Sequence, residues 1–291
     1  MRLNGRRQST NVDDRRGRRG FGGSGMKLAG GGVVGIVVAI VAFFLGGGDL
    51  SQLIGQIGGG GLTGVQSQNY TPSAEEEQLA EFSKQIFAGT EDVWTEIFRQ
   101  NGMEYEPPTL VLYSGSTTSG CGNASASIGP FYCSADQSVY IDLSFFQNMR
   151  RDLGADGDFA YAYVIAHEVG HHVQYLLGTL EQAHQQMSRL PESEANKISV
   201  RLELQADCFA GIWAYHDNKR FGSLEEGDIE EALDAASKIG DDYLQKQAQG
   251  YAVPDSFNHG TSAQRSRWLR RGLQTGDPSQ ADTFTPSYSQ L

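Results

Sequence analysis

Residues 161–178 read "YAYVIAHEVGHHVQYLLG", an apolar run that carries three histidines and one glutamate. A helix brings positions i and i+4 onto one face, a turn apart. His167 and His171 can therefore aim two imidazoles at one point, at a separation suited to a single Zn2+ with Zn–N distances of about 2.0–2.1 Å. Glu168 lies one step round the same turn, close enough to reach a water at that metal without being a ligand. Two ligands and a base on one turn give the pattern its chemical sense. Ile165, Val169, Val173 and Leu176 form the opposite, core-facing side, and Gly170 leaves room for a close neighbour. His172 sits about 100° around from His171 and cannot share the metal without breaking helical geometry, so it is assigned to packing or support of the ligands. A lone histidine in such a helix is more often structural. Here a pair brackets a glutamate inside an apolar helix, and burying those groups without a metal carries a desolvation penalty.

Three protein ligands and one open position make a catalytic zinc site. Downstream, "RLELQADCFAG" (201–211) places Glu203 and Asp207 four residues apart on one helical face. Glu203 completes a His2Glu set. Asp207 is placed to accept the N–H of a ligating imidazole and so fix its tautomer. Solvated acids on an amphipathic helix are the plain alternative, but Leu204, Ala206, Phe209, Ala210, Ile212 and Trp213 make the surroundings too apolar for that.

"HEVGH" followed by "ELQAD" resembles the zincin metallopeptidases whose third ligand is a glutamate. More narrowly, the chain resembles the bacterial neutral zinc metallopeptidase family, membrane-anchored proteins of about this length. The resemblance runs nearly end to end, through "NGRRQSTNVDDRRG", "TEDVWTEIF", "GPFYCSADQSVYIDLSFF", "AHEVGHHVQ", "ELQADCFAG" and "HGTSAQR". It implies a zincin-like fold, Zn2+ held by His167, His171 and Glu203, a catalytic Glu168, and a peptide or protein substrate.

His259 and Arg265, in "NHGTSAQRSRW", stand at a loop–helix junction and on the helix that follows. Either could stabilise the oxyanion that develops during attack. Equally, Arg265 could only position its segment through Asp207 or Glu203. By analogy with zincins, "NASASIGP" (123–130) is a candidate edge strand for a substrate peptide, a mode that reads backbone rather than sequence. A linker between two cysteines would look similar.

Charge divides the chain. Residues 1–27 carry eight Lys/Arg against two acids, a net of +6, which leaves 15 basic and 33 acidic residues, a net of −18, in residues 28–291. An acidic body argues against nucleic-acid partners, since phosphate binding needs a basic surface. Beside the basic head, "LAGGGVVGIVVAIVAFFLGGG" (28–48) has no charge, and about 20 apolar residues span a bilayer core. The expectation is a single transmembrane helix with the Arg-rich side cytoplasmic and the body extracytoplasmic, periplasmic or at the cell surface. A cleaved signal would want an Ala-x-Ala exit site, which "GGGDLSQL" does not offer. The twin-arginine hint at Arg18–Arg19 is a partial match. Gly31, Gly35 and Ala39 give small-xxx-small spacing, which suggests a homo-oligomer through this helix, although such glycines are often merely tolerated.

The expected organisation is therefore a basic cytoplasmic segment (1–27), a transmembrane helix (28–48), a flexible Gly-rich linker (49–73), a metallopeptidase domain (74–276) and a polar tail (277–291). Cys121 and Cys133 flank "GNASASIGPFY" with no Cys-x-x-Cys pair. Outside the cytoplasm they can form a disulfide worth about 3 kcal/mol in the chain-entropy model, and otherwise they are two buried thiols. Cys208 reads as a small buried hydrophobe. Periodicity predicts helices over 74–101 (with a break near Gly89), 157–178, 193–217, 226–246 and 261–274, and strands over 108–115 and 138–146. A few strands followed by a run of helices is α+β: a mostly helical domain with a small sheet, preceded by one transmembrane helix.

The function expected is a membrane-anchored zinc metalloendopeptidase, hydrolysing peptide bonds by a zinc-activated water with Glu168 as general base. A zinc amidase acting on cell-wall peptides would use the same site. A tethered interaction domain with structural zinc or none is the non-enzymatic alternative, and Glu168 speaks against it because a structural site needs no base.

Overall fold

The computed structural model describes residues 1–18, 70–126 and 128–291. The Ser73 side chain accepts from the Glu76 amide and three glutamates fill the first turn, which together start helix α1 (Ala74–Gln100). The helix runs unbroken through Gly89, where a break was expected. A Cβ at Gly89 would lie 2.8 Å from Arg6 Nη2 and 2.9 Å from Asp217 Oδ1, so this glycine makes room for an ion pair rather than ending a helix.

The main sheet has four strands. β1 (Val12–Asp14) pairs parallel with β2 (Thr109–Tyr113), opposing Val12 to Leu110. A separate antiparallel hairpin follows, β3 (Ser116–Ser119) with β4 (Gly122–Ser125). β5 (Phe131–Cys133) and β6 (Ser138–Asp142) complete the order β1-β2-β6-β5, with β6 parallel to β2 and β5 antiparallel at the edge. β2 and β6 are covered on both faces, which is why "LVLY" and "VYI" read as continuous apolar runs. Of the candidate edge strand 123–130, residues 123–125 form one strand of the two-stranded hairpin, while β1 and β5 are the edges of the main sheet.

Helices build the rest: α2 (Ser144–Asn148), α3 (Asp158–Leu176), α4 (Thr179–Met187), α5 (Glu192–Phe221), α6 (Asp228–Lys238), α7 (Asp241–Gln249) and α8 (Ser262–Thr275). The single helix expected over 226–246 is two, parted at Ile239–Gly240. The break lets Asp241 turn its carboxylate onto the backbone amides of His259 and Gly260, at 2.7 and 2.9 Å. α3 and α5 pack side by side, and α8 lies along α5. Trp94, Phe159 and Trp213 are buried among them.

The expected transmembrane helix ahead of the body is corrected. Among the described residues no helix is long and apolar enough to cross a membrane. The stretch that prompted the expectation, 28–48, lies outside the described residues, with Gly31, Gly35 and Ala39 and the linker up to residue 69. Residues 1–18, expected as a separate basic segment, belong to the body. Arg6 pairs with Asp217 at 2.6 Å, Arg7 reaches Glu91 and Asp92 at 2.9 and 2.6 Å, and β1 joins the sheet. The residues expected as a polar tail are likewise fastened down. Ala281, Thr283 and Leu291 are buried, and Thr283 Oγ1 donates to Arg201 O at 2.7 Å.

Candidate metal centre

α3 and α5 meet where Gly170 lacks a side chain: a Cβ there would stand 3.0 Å from Ala206 O and 3.1 Å from its Cα. That close approach brings the His167–His171 turn against the Glu203–Asp207 turn. His167 and Glu168 are buried, and His171 and Glu203 are nearly so.

Tautomers follow from the partners. His167 Nδ1 lies 2.9 Å from Asp207 Oδ1, and a carboxylate only accepts, so Nδ1 carries the proton. His171 Nδ1 lies 2.9 Å from Gln174 Oε1, again an acceptor. Both rings thus turn Nε2 toward Glu203, with His167 Nε2 3.1 Å from Oε2 and His171 Nε2 3.4 Å from Oε1. The ligand atoms of His167, His171 and Glu203 all fall within 4.8 Å of one another. Two imidazole lone pairs and a carboxylate facing one another form a donor set that fits one Zn2+. The field is cation-seeking. Burial opposes charge on His167, yet the hydrogen bonds and negative charge of Asp207 and Glu203 outweigh it and push its pKa up to about 10. Glu203 is shifted the other way: burial would raise its pKa, but His171 and His167 hold it well below the usual carboxylate range.

Asp207, fully buried, accepts four hydrogen bonds. They come from Tyr163 OH at 2.6 Å, His167 Nδ1 at 2.9 Å, and Arg265 through Nε and Nη2, both at 2.9 Å. Burial raises its pKa, but Arg265 and His167 prevail and bring it to about 2. Arg265, 3% exposed, also donates to Tyr163 OH at 3.2 Å and stands 3.9 Å from Glu203. The structure thus places Arg265 behind His167 and Glu203, as the counter-ion of Asp207. Glu168 shares α3 with His167 and His171, and burial raises its pKa despite their lowering influence.

His259 is half-buried, with Nδ1 3.2 Å from Asp241 Oδ1. Burial lowers its pKa, but Asp241 and Glu203 outweigh that and raise it. His172 points away from the ligands. Its Nε2 donates to Glu106 O at 2.7 Å and its Nδ1 accepts from Tyr132 OH at 2.9 Å, which ties α3 to β5. Burial lowers it to about 4, so it is neutral. Cys121 and Cys133 are disulfide-bonded, and Cys208 is free and buried. Tyr163, Gln174 and Asp241 were missed by sequence reasoning. Tyr163 (i−4 from His167) and Gln174 (i+3 from His171) share a helical face with a ligand, and that spacing was the signal available.

Residues 1–284 match a family model described as "Putative neutral zinc metallopeptidase". The uncharacterized protein YpfJ of Escherichia coli (strain K12) is 50% identical over 292 residues, covering 99% of this chain and 100% of its own. The uncharacterized protein Rv2575 of Mycobacterium tuberculosis (strain ATCC 25618 / H37Rv) is 44% identical over 191 residues, 62% of this chain and 64% of its own. No solved structure matches the chain.

Proposed function

The chain belongs to the neutral zinc metallopeptidase family, and on that footing we propose that it hydrolyses peptide bonds, with His167, His171 and Glu203 as zinc ligands and Glu168 as general base. The observation that carries this reading is the convergence of two imidazole Nε2 atoms and the Glu203 carboxylate on the helical turn that also holds buried Glu168. These residues would hold a zinc ion that would polarise a scissile carbonyl and acidify a water.

Glu168 supplies the proton transfers. Its buried carboxylate is a stronger base than a solvated one, as the upward shift of its pKa indicates. It takes a proton from the water whose oxygen attacks the carbonyl carbon. It then returns that proton to the amine nitrogen as the C–N bond breaks. His259, held by Asp241 and biased toward its protonated form, is the donor we assign to the developing oxyanion. Asp207 and Arg265 act through His167, keeping its proton on Nδ1.

The test uses the full chain and its Glu168→Gln variant, with zinc content measured for both, against a quenched peptide library. Equal zinc with hydrolysis lost by about 100-fold or more in the variant is expected. Equal cleavage by both proteins refutes the role of Glu168. A zinc-loaded wild type that cleaves only cell-wall peptide amides makes the chain an amidase instead.

We also propose an oxidising, extracytoplasmic compartment for the body, supported by the Cys121–Cys133 bond. Protein lysed and unfolded directly in excess alkylating reagent should take up one label, on Cys208; labels on Cys121 and Cys133 as well would refute it.

A further inference from the structure

Two backbone carbonyls fix the direction of a line of side-chain amides behind His171. A carbonyl oxygen only accepts, so the Gln174 atom 2.7 Å from Leu202 O is the Nε2 donor. For the same reason the Gln205 atom 2.9 Å from Ala281 O is Nε2. With both amides so oriented, Gln174 Nε2 also donates to Gln205 Oε1 at 3.1 Å, and Gln174 Oε1 faces His171 Nδ1 at 2.9 Å. Every donor in the line meets an acceptor: His171 to Gln174, Gln174 to Gln205, Gln205 to Ala281. Gln174 is fully buried and Gln205 is 8% exposed, so bulk water is a poor substitute for either partner. The far end is anchored as well. Ala281 is buried, and two residues on, Thr283 exchanges hydrogen bonds with Arg201, its O accepting from Nη1 and its Oγ1 donating to Arg201 O.

We propose that Gln174 and Gln205 are positioning residues for the metal, and that through them the C-terminal segment 277–291 sets the tautomer and aim of His171. This rests on the zinc reading of the site given above. The two ligating histidines are then supported by different chemistry. A buried anion, Asp207, with its own counter-ion Arg265, holds His167. A neutral amide relay holds His171, so no second buried ion pair is required. A partner that fixes the remote ring nitrogen of a ligand typically changes metal affinity by about 10–100-fold.

The test compares wild type, Gln174→Leu and Gln205→Met, all full-length. The readouts are the Zn2+ Kd by competition with a chromophoric chelator and the His171 tautomer by 15N NMR of the zinc-free chain. Urea unfolding serves as the structural control. Gln174→Leu should bind Zn2+ about 10–100-fold more weakly and lose the pure Nδ1–H form of His171. Gln205→Met, which leaves the His171–Gln174 contact in place, should weaken binding by a smaller factor, roughly threefold or more, in the same direction. A merely structural role would lower the unfolding midpoint while leaving both the Kd and the tautomer unchanged. Folded variants within about twofold of wild type in Kd, with His171 still Nδ1–H, overturn the proposal. If Gln174→Leu does not fold, Gln205→Met decides alone. A wild-type chain that binds no Zn2+ refutes the zinc reading itself, and the tautomer then decides the relay separately.

Discussion

Asp207→Leu should separate what holds the fold from what holds the metal. Asp207 is fully buried, and its removal strips Arg265 of both 2.9 Å bonds, leaving Glu203 at 3.9 Å as the nearest carboxylate. Breaking a buried ion pair from one side costs about 3–5 kcal/mol, because the remaining charge stays buried without compensation. The lost acceptor for Tyr163 OH adds roughly 1 kcal/mol, not strictly additive. The zinc-free variant should therefore lose about 4–5 kcal/mol in urea unfolding at pH 7, a large share of the ~5–15 kcal/mol typical of a folded domain. Adding Arg265→Met removes the stranded charge, and the double variant should recover most of that loss, to within about 2 kcal/mol of wild type. Zinc affinity should behave differently. His167 lacks its Nδ1 acceptor in the single and double variants alike, so both should bind Zn2+ about 10–100-fold more weakly. A double variant as unstable as Asp207→Leu alone, or one with wild-type zinc affinity, refutes this division of labour.

His172 gives a pH dependence of known sign. Its folded pKa of about 4 lies below the unfolded value of 6.5, so the unfolded chain binds the extra proton between those pH values. The stability it contributes is present above pH 6.5, is lost as pH falls toward 4, and amounts to about 3 kcal/mol. Zinc-free His172→Gln, whose amide can meet both Glu106 O and Tyr132 OH, should show a shallower fall in urea stability across that window. Identical slopes for the two proteins would count against neutral burial of His172. Gly170→Ala pushes a methyl against Ala206 O at 3.0 Å and should cost about 1–3 kcal/mol together with weaker zinc binding, measured by unfolding and chelator competition. Arg6→Met leaves Asp217, 1% exposed, without its cation, and should destabilise the chain by about 3 kcal/mol in urea unfolding; an unchanged midpoint would mean that residues 1–18 do not hold the body.

The candidate metal centre was legible in the sequence to the extent that it is local. His167, Glu168 and His171 stand on one turn, and Glu203 and Asp207 on another, so helical periodicity alone declares that each set shares a face. Arg265 could be named but not assigned, because its role depends on α8 lying along α5, a contact across 58 residues. Gln174 offered only its helical spacing from His171, and Gln205 offered no signal, for a further reason. A glutamine on a helix is ordinarily a solvated residue, and nothing in its type distinguishes one that receives a histidine N–H from one that faces water. What distinguishes Gln174 is a carbonyl from a neighbouring helix, and what distinguishes Gln205 is a carbonyl from a segment whose composition read as a loose tail.

The N-terminal arginines show how charge misleads when its partners are remote. Beside an uncharged run, eight basic residues match the pattern that orients a membrane helix. Yet the same guanidinium groups are ion-pair donors, and composition does not say which use is made of them. In the structure Arg6 finds Asp217 across 211 residues and Arg7 finds Asp92 across 85, while Arg15 and Arg16 pair with Asp13 and Asp14 beside them. Those local pairs also explain why β1 escaped notice, since a strand reading "VDD" lacks the apolar alternation that marks one. Its place in the sheet comes instead from backbone bonds such as Leu110 N to Asn11 O at 2.8 Å, which no side-chain pattern records. Removing the side chain of Asp13 should consequently leave β1 paired in hydrogen exchange, whereas removing Arg6 should loosen it, because the long-range ion pair with Asp217 and not the local one with Arg15 ties the segment to α5.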